Sequence, residues 1–110
     1  MPFYLFQAKY TADALKALVE TPQDREAGAR TVIEAAGGKL HSFFFCLGEY
    51  DAMAVIEAPD DESMAAGALA VGASGAFSAG QTTKLMTAAE GMAAMKAAQA
   101  ARAAYTPATG

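Results

Sequence analysis

The chain has 110 residues, 54% of them hydrophobic and 18% charged, with 12 acidic against 8 basic side chains and a formal net charge of −4. That length is one domain with a thin core. The lack of a basic patch speaks against nucleic acid and anionic membranes as partners, and a single Cys, Cys46, excludes an intrachain disulfide and a multi-Cys metal site.

A cytoplasmic location fits the lone thiol. Met1-Pro2-Phe3-Tyr4 has neither the basic start nor the long apolar run of a signal peptide. The Ala/Gly-rich stretch 63–80 escapes interruption by charge, but its glycines and polar residues make it a poor membrane span. So small a surface cannot hide this much apolar content, and a buried oligomer interface is expected.

Residues 3–10 alternate Phe3, Leu5, Gln7 and Lys9 with Tyr4, Phe6, Ala8 and Tyr10, a strand apolar on both faces. Thr11 suits the N-cap of a short helix with Leu15, Leu18 and Val19 on one face. Thr21-Pro22 restarts a helix, Thr as cap and Pro at the first helical position. Its stripe is Ala29, Val32, Ile33 and Ala36, and Gly37 ends it in a left-handed cap.

Residues 39–46 form the second strand, in which strict alternation sets Leu40, Ser42, Phe44 and Cys46 against His41, Phe43 and Phe45. Leu47-Gly48-Glu49 turns into a third strand over 51–58, an antiparallel hairpin partner. Pro59-Asp60-Asp61-Glu62 opens a helix with acids at its positive end. That helix is weakened by Gly67 and Gly72 and needs packing to survive. Residues 77–86 read as a fourth strand. Thr87-Ala88-Ala89-Glu90 has capping-box spacing and opens an Ala/Met-rich helix to about Ala104.

The order β-α(α)-β-β-α-β-α predicts an α+β, ferredoxin-like βαββαβ sandwich over residues 1–86, an extra C-terminal helix over 87–105 and a flexible tail over 106–110. Helices cover one sheet face. The other is also apolar, so a second subunit packing sheet on sheet is expected to cover it, burying roughly 800 Å² on each partner.

The strongest polar group is Tyr50 and Asp51, beside Glu49. A desolvated Asp51 suits acid or base work and Tyr50 suits hydrogen bonding to a substrate oxygen. The competing structural reading, which we prefer, is that Asp51 bonds turn amides and Tyr50 anchors the hairpin. His41, the only His, is a candidate general base or axial haem ligand; the plainer reading is a satisfied strand His, and it has no zinc-ligand spacing. Tyr4, Tyr10, His41 and Tyr50 are the candidate ligand-binding residues. Cys46 reads as inert core, and Met86, Met92 and Met95 as adaptable packing. No phosphate-binding glycine loop is present, since Gly72-Ala73-Ser74-Gly75 lacks the following Lys-Ser/Thr.

Gly48-Glu49-Tyr50-Asp51 resembles the signature of the GYD-domain family, small bacterial and archaeal proteins. The similarity extends to Tyr10-Thr11, to Glu34-x-x-Gly37-Gly38-Lys39 and to Ile56-Glu57-Ala58-Pro59-Asp60-Asp61-Glu62, covering residues 3–86. The resemblance implies pairing as a dimeric α/β barrel and brings no mechanism with it. The chain departs from the family at Gly75-Ala76-Phe77-Ser78-Ala79-Gly80, where members often carry an Arg. The wider barrel group includes oxygenases, isomerases and haem proteins, so the fold does not choose among them.

Three functions follow as expectations. The first is a homo-oligomer binding a small, partly apolar ligand between sheet and helices, with no cofactor. The second is a small cofactor-independent oxygenase or isomerase, or a haem binder, using His41, Tyr50 and Asp51. The third is a purely structural assembly protein in which the C-terminal helix clamps a neighbouring subunit.

Overall fold

The computed structural model describes residues 1–109; Gly110, the end of the expected tail, lies outside the described residues. The elements are β1 (Phe3–Tyr10), α1 (Ala12–Glu20), α2 (Arg25–Ala35), β2 (Lys39–Phe45), β3 (Ala52–Glu57), α3 (Asp61–Gly72), β4 (Phe77–Leu85) and α4 (Ala88–Ala104). The strands form one sheet in the order β2-β3-β1-β4, with every neighbouring pair antiparallel. This is the expected ferredoxin-like α+β sandwich, with β1 central.

Alternation along β1 and β3 builds the core. Tyr4, Ala8 and Tyr10 of β1 and Ala52, Ala54 and Ile56 of β3 are buried beneath the helices. Leu40, Ala58 and Met64 complete the buried set, and Ala29 and Ile33 of α2 pack against it with Phe6 and Phe43. At Gly38 an added Cβ would stand 2.7 Å from the Glu57 carbonyl oxygen, so the chain passes from α2 into β2 where only glycine fits. Gly37, at φ 83°, supplies the left-handed cap.

The opposite face is open. Phe3, Leu5 and Gln7 of β1 stand beside Met53, Val55 and Glu57 of β3 in register, and all six are only half-buried. On β2 the strict alternation expected from the sequence is overturned. Leu40 pairs with Ile56 but Ser42 pairs with Val55, so a bulge at His41 inserts one extra residue. A one-residue slip sends every later side chain to the other face. His41, Ser42 and Phe44 therefore share the open face, while Leu40, Phe43 and Phe45 share the helix face.

Helix starts follow their caps. Thr11 Oγ1 accepts from the Ala14 N–H (3.2 Å) and Asp60 Oδ1 from the Ser63 N–H (2.7 Å). At α4 the full capping box forms: Glu90 N–H donates to Thr87 Oγ1 (3.1 Å) and Thr87 N–H to Glu90 Oε1 (2.9 Å). The expected restart at Thr21-Pro22 is corrected. Thr21 uses its own N–H to close α1 on the Ala17 carbonyl (2.9 Å), and α2 begins at Arg25 with Asp24 as its cap.

Two helices are poorly covered by their own chain. None of α1 or α4 is buried, and Leu15 and Val19, expected to pack, are 43% and 80% exposed. Met86, Met92 and Met95 are exposed as well, so any packing they do is not within one chain. The molecule measures 59 × 32 × 22 Å. No helix is long and apolar enough to cross a membrane among the described residues.

Candidate functional site

The sheet divides the residues singled out in the sequence. Tyr4 and Tyr10 lie on the helix face, and His41 and Tyr50 on the open face.

On the helix face, Tyr4 is buried, and its hydroxyl donates to Asp61 Oδ1 at the start of α3. Asp61 also accepts from Lys84 Nζ of β4 at 2.9 Å. The bond to Asp61 pushes the Tyr4 hydroxyl up to about 12, and the same bond, with Lys84, holds the Asp61 carboxyl below its ordinary value. Tyr10 stacks on Phe77 with ring centroids 4.8 Å apart. Its backbone N–H donates to Asp51 Oδ2 at 2.9 Å. The Asp51 N–H donates to the Ala8 carbonyl and the Asp51 carbonyl accepts from Cys46 N–H, at 2.9 and 2.8 Å. Asp51 thus spends its polar groups on fastening the β2–β3 turn to β1.

On the open face, His41 Nε2 lies 2.8 Å from Glu57 Oε1, and its ring leans on Phe3 at 5.2 Å. Binding a haem iron through Nε2 requires breaking that contact. Tyr50 donates its hydroxyl to Gln81 Oε1 of β4 at 2.9 Å. Gln81 sits beside Gln7, whereas His41 sits beside Phe3, four residues back along β1. At about 3.3 Å per residue the two sites are on the order of 13 Å apart. Within one chain, His41, Tyr50 and Asp51 therefore do not converge on a shared cavity. No group of three His, Cys, Asp or Glu side chains stands ready to hold a metal among the described residues.

A cavity lined mostly by apolar side chains lies between sheet and helices. Its volume is about 110 Å³, and it is bounded by Phe6, Phe43, Ile33, Ala29, Ala68 and Val71, with Tyr10 and Phe77 at one end. Small residues make it: Gly28 and Ala29 on α2, Ala36 just past its end, and Gly67 and Ala68 on α3 face the aromatic side chains of the sheet. Larger residues there would fill the space. A second cavity of about 360 Å³ lies under α1, against Leu15, Val19, Phe45 and Cys46. Arg25 and Tyr10 border both cavities. Sequence reasoning missed Arg25. The available signal was an Arg three residues before Gly28 on the helix that carries the Ala29/Ile33 stripe.

The family model described as GYD domain matches residues 4–104, a span that runs past β4 through α4. No curated protein sequence matches the chain. Among solved structures, the chain is similar to the crystal structure of MtbAldR, with a TM-score of 0.54 and 17% identity over 78% of this chain. The matched region spans about half of that protein's length, 52%. It is also similar to the crystal structure of FFRP-DM1, with a TM-score of 0.50 and 11% identity over 78% of this chain and 100% of the other. At these identities the likeness is one of fold.

Proposed function

This chain belongs to the GYD-domain family, and from that membership we propose that it is a homo-oligomeric protein that binds a small apolar ligand between its sheet and its helices. The observation that carries the ligand is the cavity of about 110 Å³, lined mostly by apolar side chains of α2, α3 and all four strands. Concave sites lined mostly by apolar side chains, with a few polar groups at their border, accept compact hydrocarbon groups.

The oligomer rests on the open sheet face. Phe3, Leu5, Phe44, Met53 and Val55 form an apolar surface with polar Gln7, Glu57 and His41 among them, the composition of an interface core with a polar rim. Sheet-on-sheet pairing of two copies, as in a dimeric α/β barrel, covers this face. A cytoplasmic location and a bacterial source belong to the same reading, supported by the free Cys46 and the family membership.

Native mass spectrometry of protein purified without refolding tests both halves. A dimer or larger carrying an added small mass supports the reading. A monomer removes the oligomer, and a ligand-free species that also fails to bind small apolar probes in calorimetry removes the ligand.

The assembly reading has an observation of its own. Helix α4 carries a full capping box and 17 residues, yet buries none of them in its own chain. A helix of Ala and Met that buries no residue in its own chain is suited to clamp a neighbouring subunit.

A further inference from the structure

We propose that the cavity between sheet and helices takes a small monocarboxylate, its hydrocarbon end among Phe6, Phe43 and Ile33 and its carboxylate on the guanidinium of Arg25. This rests on the ligand-binding reading above and names the class of ligand.

The hydrocarbon end follows from size and lining. An apolar cavity of roughly 150 Å³ holds benzene. The space here, about 110 Å³ and walled by aromatic, aliphatic and glycine residues, suits a branched chain of fewer carbons.

The carboxylate follows from Arg25. It is half-buried at the first position of α2 and borders both this cavity and its larger neighbour. Arg30 has Glu26 at 3.5 Å and Lys84 has Asp61 at 2.9 Å, but Arg25 has no carboxylate at ion-pair distance among the described residues. Its hydrogen bond runs from Nη1 to Gln23 Oε1 at 3.0 Å, which leaves Nη2 and Nε to offer. The nearby acids Asp24 and Asp51 hold backbone N–H groups, Ala27 on Asp24 Oδ1 at 3.2 Å and Tyr10 on Asp51 Oδ2 at 2.9 Å, and neither is at ion-pair distance from Arg25.

Gly28 holds the arginine in place. A Cβ added there would stand 3.0 Å from Arg25 Nη1 and 3.3 Å from Cζ and Nη2. The guanidinium therefore lies back along α2, in space that exists because residue 28 has no side chain. A planar fork with free N–H groups, half-withdrawn from water beside an apolar cavity, matches the two oxygens of a carboxylate. The positive end of α2 adds to the attraction.

Isothermal titration of the full-length protein with 3-methylbutanoate and with 3-methylbutanamide, its neutral analogue, tests the assignment. The acid is expected to bind wild type at least about tenfold more tightly than the amide, the scale of one charge-assisted hydrogen-bond pair. Arg25→Gln should bring the acid down to the level of the amide without weakening the amide. Gly28→Ala, which keeps the charge but shifts the guanidinium and takes a little space from the cavity, should weaken the acid more than the amide. Circular dichroism checks that both variants fold. Equal binding of acid and amide to wild type overturns the carboxylate and leaves the apolar site standing. Binding of neither at millimolar concentration overturns the site itself. An acid preference that survives in Arg25→Gln overturns the role of Arg25.

Discussion

The carboxylate of Asp51 accepts the backbone N–H of Tyr10 at 2.9 Å, across 41 residues of sequence, and so ties the turn of the β2–β3 hairpin to the end of the central strand. The final Asp of the Gly-x-Tyr-Asp signature thus does structural work: it satisfies a backbone donor at the place where β1 ends. Asp51→Ala should lower stability by about 1 to 3 kcal/mol, the range for losing a partly buried bond to a charged acceptor. Asp51→Asn, which keeps an oxygen at the same place, should recover most of that in chemical denaturation.

Val55 lies at the middle of the open face, with Leu5 and Ser42 as its cross-strand neighbours. Val55→Lys adds a charge where the proposed second copy packs, and an unpaired charge in an interface core is strongly disfavoured. The variant should sediment as a folded monomer at concentrations where wild type sediments as an oligomer. Unchanged sedimentation would place the interface elsewhere.

Deletion of residues 88–110 removes α4, which buries no residue in its own chain. The sandwich should stay folded, with its far-ultraviolet spectrum reduced only by the helix lost. If α4 clamps a neighbouring subunit, the truncated protein falls to a lower oligomer order; an unchanged mass rules the clamp out.

The Tyr4–Asp61 bond makes stability depend on pH at both ends of the scale. The carboxyl of Asp61 is held low by Tyr4 and Lys84, and those of Asp60 and Glu90 by backbone N–H groups of Ser63 and Thr87. Each contributes stability that is full above its unfolded value and lost as pH falls through the folded one. Acid unfolding should therefore be steepest below about pH 4, the ordinary carboxylate range. Tyr4 has the opposite sign. Its hydroxyl is raised from 10.0 to about 12, so between those values the folded chain holds a proton that the unfolded chain has lost, and stability declines as pH rises. Tyrosinate absorbance should show one of the four tyrosines titrating late, and Tyr4→Phe should abolish that phase and weaken the fold's acid resistance.

Gly38→Ala should be among the most damaging single-methyl additions. Its Cβ meets the Glu57 carbonyl at 2.7 Å and Ile33 Cγ2 at 3.1 Å, so backbone must move. A loss of about 1 to 3 kcal/mol is expected from overpacking of this kind. Gly67→Ala, with nothing within 4 Å of the added atom, should instead stabilise α3 by up to about 1 kcal/mol. Thermal melts of the two side by side check the contrast.

Local chemistry determined much of this protein from sequence alone. Alternation placed β1 and β3, Thr11, Thr87 and the run Pro59-Asp60-Asp61-Glu62 marked three helix starts, Gly37 marked a helix end, and the order of elements specified the ferredoxin-like sandwich, because each signal acts within a few residues of itself. The Thr21-Pro22 restart did not form, because the N–H of Thr21 closes α1 on the Ala17 carbonyl and Asp24 caps α2 instead. What the tertiary structure decided depended on partners distant in sequence. The bulge at His41 is set by pairing with β3, and it moved His41, Ser42 and Phe44 to one face and Phe43 and Phe45 to the other. Which residues meet across the sheet, that Tyr4 finds Asp61 and Tyr50 finds Gln81, and that Arg25 borders a cavity with no carboxylate at ion-pair distance among the described residues, follow from how four strands and two helices close on one another. Register and helix packing carry those distances, and no local pattern encodes them.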